Sequence, residues 1–94
     1  MLFKDDDAAY LDWLNAHPDG YVVNLSHSLS GDYAVLHRAQ CGGIRSEKVK
    51  PGAYTERGYV KLCGVSIVEL RRLMSEVQGR PDADFSKTCG NCCP

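Results

Sequence analysis

Five cysteines in a chain of 94 residues constrain this sequence more than any other feature. They stand at positions 41, 63, 89, 92 and 93, and the first seven residues, Met1-Leu2-Phe3-Lys4-Asp5-Asp6-Asp7, have neither the basic start nor the apolar run of an export signal. The expected compartment is therefore the cytoplasm, where thiols stay reduced, and an odd count argues further against a disulfide framework. A domain of this length buries a modest core and often recruits a metal for stability. Cys89-Gly90-Asn91-Cys92 is a C-x-x-C with turn-forming residues inside it. Such a turn brings two thiolates to one zinc at about 2.3 Å. His37 and Cys41, spaced H-x-x-x-C, form a second pair at the end of a predicted strand. Zn held by His37, Cys41, Cys89 and Cys92 is the expected metal site, with Cys63 the alternative to His37 and Cys93 the alternative to Cys92. A redox C-x-x-C would instead stand at a helix N-terminus, where its pKa falls, and no helix follows Cys92.

The pattern along the chain predicts a single α+β domain spanning residues 1–94, a small three-stranded antiparallel sheet with two helices, stapled by structural zinc. Asp5, Asp6 and Asp7 offer caps for a helix starting near residue 7, and Tyr10, Leu11, Trp13 and Leu14 give it an apolar stripe. His17-Pro18 stops it, because a residue before proline is pushed out of the α region. Residues 21–26 and 33–38 are rich in strand formers and joined by a short polar stretch, so they are expected to pair antiparallel. Residues 42–58 carry four glycines and a proline without periodicity and read as a long loop. Tyr59–Cys63 is the third predicted strand. Ser66-Ile67-Val68-Glu69 is a capping box ahead of an apolar face of Ile67, Leu70, Leu73, Met74 and Val77, and Gly79 supplies the stop. The stretch from Arg80 to Thr88 is read as irregular.

Leu36-His37-Arg38-Ala39-Gln40-Cys41, then a strand, a capped helix and Cys89-x-x-Cys92 before a proline, resembles the metal-binding domain of the Ada DNA-repair methyltransferase and its small relatives. The likeness covers about residues 33–94. It implies a zinc-stapled fold, with His37 and Cys41 on the first ligand pair and Cys89 and Cys92 on the second. In that family a zinc-bound cysteine of the first pair accepts the methyl group. His37 occupies that position here, so the resemblance implies the metal site rather than the repair chemistry. His17-Pro18-Asp19-Gly20-Tyr21-Val22-Val23-Asn24 is also similar to a stretch in small uncharacterised bacterial domains.

Charge adds a partner expectation. Residues 1–37 hold six aspartates against one lysine, whereas residues 38–72 hold eight basic residues against three glutamates. Arg38, Arg45, Lys48, Lys50, Arg57 and Lys61, interleaved with Tyr54 and Tyr59, form a segment suited to nucleic acid through phosphate contacts and base stacking. The competing expectation is a protein-interaction module with a structural zinc and a larger protein as partner. No run of 18 apolar residues is present, so no membrane span is expected. Nor is there a phosphate loop, since no G-K-[ST] follows Gly42-Gly43, or a telling acid–base spacing. With four protein ligands filling the zinc, catalysis is not expected.

Overall fold

The computed structural model describes residues 1–26, 28–29, 33–41, 44, 54–55, 58–81 and 83–90. The order of elements is β1 (Leu2–Phe3), α1 (Asp7–Ala16), β2 (Tyr21–Ser26), β3 (Ala34–Arg38), β4 (Tyr59–Gly64), α2 (Ile67–Gln78) and β5 (Lys87–Thr88). Both helices start and stop on the residues whose chemistry demands it. Asp6 accepts from the Ala9 amide at 3.0 Å and so caps α1, and the backbone amide of His17 closes the other end on Trp13 and Leu14. Ser66 accepts from the Glu69 amide at 3.1 Å, and Gly79 ends α2 in the left-handed region at φ 66°.

The sheet order is β1-β4-β2-β3-β5. β2 lies at its centre, antiparallel to β3 with Tyr21 opposite Arg38 and Leu25 opposite Ala34, and antiparallel to β4 with Tyr21 opposite Gly64 and Ser26 opposite Tyr59. Side chains alternate across the strands, so each face receives its own set. Val23, Leu25, Ala34, Leu36, Val60 and Leu62 meet Leu70 and Met74 of α2 on one face. Val22 and Cys63 meet Tyr10 and Leu14 of α1, with Phe3, Ala39, Cys41, Ile44 and Tyr54, on the other. A sheet covered on both sides explains why strands this short carry near-continuous apolar runs.

Two expectations are corrected. Among the described residues the sheet has five strands and is mixed, not three antiparallel strands. β1 adds antiparallel to β4, and β5 adds parallel to β3 with Val35 opposite Lys87. Neither strand has a periodic pattern, because each is two residues long and exists through its neighbour. The N-terminal ammonium and the Cys63 amide exchange bonds with the carbonyls of Cys63 and Met1 at 2.7 and 2.8 Å. The stretch read as irregular therefore contains β5, held at its ends by the Ser86 and Cys89 amides, which donate to Ala34 and Leu36 at 2.7 and 2.8 Å. The expected loop over 42–58 lies mostly outside the described residues. Of its described residues, Ile44, Tyr54, Thr55 and Gly58, the first three are buried, and Tyr54 and Thr55 are docked on α1. The Asp7 carboxylate accepts from the Tyr54 amide, the Thr55 amide and the Thr55 hydroxyl at 3.3, 2.7 and 2.7 Å.

Candidate metal centre

His37 stands on β3 on the face that carries Val22 and Cys63, because Val22 is opposite both across the sheet. β3 ends at Arg38, and a turn follows in which the Ala39 amide donates to Gly20 and the Cys41 amide to Arg38, both at 3.0 Å. The turn buries Cys41 against the α1 side of the sheet. Parallel pairing of Val35 with Lys87 then sets the third residue. Two positions further along each strand, His37 and Cys89 reach the same face. The Sγ atoms of Cys41 and Cys89 lie 3.9 Å apart, and one ligand atom from each of His37, Cys41 and Cys89 falls within 4.8 Å of the others. Three residues, from a strand, a turn and the position just after β5, thus converge on one point able to hold a metal ion.

The electrostatics suit ligation. Burial, and after it the charge of Lys61, lower the pKa of His37, which favours the neutral imidazole that binds metals. Its Nδ1 is buried and has no hydrogen-bond partner among the described residues. An imidazole nitrogen left so is costly unless an ion takes the lone pair. One imidazole and two thiols are nitrogen and sulfur donors of the kind that bind transition-metal ions.

The other candidates are sorted by register. Cys63 is buried one strand beyond Val22, with Val22 standing between it and His37, so it is not part of the cluster. Burial pushes its thiol up to about 12, the behaviour of an inert core cysteine. Cys92 and Cys93 lie outside the described residues. His17 stacks on Trp13, with ring centroids 4.4 Å apart, and is not among the three clustered residues.

Among the six basic residues expected to contact nucleic acid, Arg45, Lys48, Lys50 and Arg57 lie outside the described residues. Arg38 is exposed and reaches over the Tyr21 ring, 6.0 Å from its centroid, on the α2 side of the sheet. Lys61 requires a correction, because it is only 4% exposed. Its Nζ donates inward to Asn24 Oδ1 at 2.7 Å and to the Tyr54 carbonyl at 2.9 Å, and it cannot reach a phosphate there. Arg38 and Lys61 therefore belong to opposite faces. Tyr54 is buried, and Tyr59 is the more exposed of the two tyrosines singled out for stacking. Tyr10 is fully buried and Trp13 packs against the same cluster, so neither forms the exposed apolar patch that a partner surface would need. No described helix is long and apolar enough to cross a membrane.

The structural roles of Lys61 and Asp7 escaped sequence reasoning. The aspartate run reads as helix capping, yet Asp7 turns back to bind Thr55, whose partners are more than forty residues away in sequence. No family model, characterised protein or solved structure matches this chain.

Proposed function

We propose that the protein is a small zinc-stapled domain in which His37, Cys41, Cys89 and Cys92 hold one structural zinc ion. The convergence of His37, Cys41 and Cys89 within 4.8 Å carries this reading. Two thiolates on a tetrahedral zinc, each at about 2.3 Å, stand about 3.8 Å apart. The observed 3.9 Å between Cys41 and Cys89 is close to that edge and far from the bond length of a disulfide, about 2.05 Å. Cys92, in C-x-x-C spacing with Cys89, is the fourth donor. A closed four-ligand shell leaves no position for a substrate or a zinc-bound water, so the metal's work is to tie β5 and the residues after it to the end of β3. The likeness to the Ada metal-binding domain supports the pairing of ligands, while His37 in the position of the accepting cysteine argues against methyl transfer.

The test is metal analysis of protein purified without a metal-binding tag. One zinc per chain is expected, and a chain that folds normally with no bound metal refutes the reading. For partners, the central basic segment favours a polyanion with Lys61 removed from its contact set. A low-salt titration with single- and double-stranded DNA and RNA tests this, and weak, strongly salt-dependent binding is the expected result.

A further inference from the structure

Beyond Val22, the sheet face that carries His37 continues as two more rows of side chains. One row is Lys61, Asn24, Val35 and Lys87, in register across β4, β2, β3 and β5. Beyond it stand Tyr59 and Tyr33, whose ring centroids are 5.4 Å apart at 45°. With Ile44 and Thr88, the residues Asn24, Tyr33, Val35 and Lys87 line an open cavity of about 510 Å³ that borders His37 and Cys89. This volume is within the range of small-molecule sites, about 300–1,000 Å³.

The chemistry of the lining is one-sided. None of its described lining residues is a carboxylic acid. Asn24 is fixed by its neighbour, because the Lys61 ammonium offers only donors and therefore takes the amide oxygen at 2.7 Å. The two donors of the Asn24 Nδ2 group are then the end of the amide left for the cavity. Lys87, exposed on the edge strand, adds a cation. Tyr33 supplies a ring that Tyr59 packs against, and Val35 and Ile44 supply apolar wall. Donors beside a supported aromatic ring and an apolar wall match a ligand that is planar and bears an acceptor-rich negative group.

The geometry points to this cavity as a binding site for a small aromatic anion of mononucleotide size, its ring against Tyr33 and its anionic group held by Lys87 and the Asn24 amide. The site is separate from the zinc, whose ligands form only one of its borders. Its anionic end belongs with Lys87, away from the thiolate of Cys89.

Isotope-labelled, zinc-loaded full chain titrated with adenosine monophosphate, benzoate and inorganic phosphate tests this by NMR. Adenosine monophosphate and benzoate should shift the Asn24 side-chain amide and the backbone amides of Tyr33 and Lys87, and should bind at least about tenfold tighter than phosphate. Lys87→Glu should weaken adenosine monophosphate about tenfold or more by reversing the charge at the anionic end. Asn24→Asp keeps an acceptor for Lys61, so the fold survives, but it replaces the donors with a carboxylate and should abolish binding. Tyr33→Leu should erase the advantage of the ring-bearing ligands over phosphate. Unmoved signals at these residues with both aromatic anions, or equal binding by the parent and the Lys87→Glu and Asn24→Asp variants, would overturn the assignment. Zinc content is measured on the same samples, so loss of the metal and loss of the ligand are read separately.

Discussion

His37 and Cys63 lie on one sheet face with Val22 between them, and that spacing decides which cysteines can share an ion with the histidine. Cys41→Ser and Cys92→Ser should each abolish zinc retention, whereas Cys63→Ala and Cys93→Ser should retain it; metal analysis of the four purified variants checks this. Cys63→Ala should instead cost about 1 kcal/mol or more through lost packing, read by denaturant unfolding. The same face sets a pH dependence. Burial lowers the Lys61 pKa from its ordinary 10.5 to about 8, with Asp7 and then Cys63 acting against the shift. Between those values the unfolded chain binds a proton that the folded chain does not, so Lys61 makes stability rise with pH from about 8 to 10.5. Burial raises Cys63 from 9.0 to about 12, so over that interval the folded chain keeps a proton that the unfolded chain has lost, and stability falls. The two slopes oppose each other between about 9 and 10.5. Metal-free protein should therefore gain stability from pH 8 to 9, level off, and lose stability above 10.5. Urea titrations across this range should show the plateau turning into a continued rise to pH 10.5 in Cys63→Ala. A plateau unchanged in that variant would remove the assignment.

The helices were legible because their signals are local. Ser66 and Gly79 act within one turn of the positions they cap, and each appears in the structure in its expected role. Leu2–Phe3 and Lys87–Thr88 were illegible because a strand of two residues has no period, and only the pairing with β4 or β3 makes it a strand. Lys61 was misread for a related reason. It alternates with Val60 and Leu62 as a solvent-facing residue would, but its face is covered by α1 and by the returning Tyr54–Thr55 segment. For the metal centre, spacing alone gave His37, Cys41 and Cys89 with Cys63 as the alternative to His37, and the register of β2 keeps Cys63 out of the cluster. The docking of α1 on that returning segment yields a further expectation. Asp7→Ala removes the acceptor of three hydrogen bonds and leaves the buried Thr55 hydroxyl and amide without it. It should destabilise the domain by about 2–3 kcal/mol, well beyond the roughly 1 kcal/mol expected for loss of the Asp6 cap in Asp6→Ala. Denaturant midpoints of the two variants compare them directly.

Taken as a whole, the molecule is a central antiparallel core of β2 and β4 with its helices, to which β3's far edge and β5 are attached with unequal strength. β5 is held by two parallel pairs, a few backbone bonds around Ser86 and Cys89, and the approach of Cys89 to His37 and Cys41. Its residues Lys87 and Thr88 are exposed, so little apolar burial holds it in place. Zinc ligation by Cys89 and Cys92 would supply what packing does not, because ligation free energy in a small domain is folding free energy. Chelation should then lower Tm by about 10 °C or more, since each kcal/mol shifts Tm by about 4–8 °C in a domain of this size. It should also act unevenly. Amide exchange at Lys87 to Cys89 and at the end of β3 should accelerate first, while Val22, Val23, Leu62 and Cys63, on paired central strands, should keep most of their protection. Hydrogen exchange of the zinc-loaded and chelated protein distinguishes the outcomes. Accelerated exchange confined to the β3–β5 edge supports a staple that fixes one side of an already formed core. Loss of protection throughout would make the metal a condition of folding for the entire chain. Unchanged exchange at β5 together with an unchanged Tm would show that the three converging ligands carry no metal.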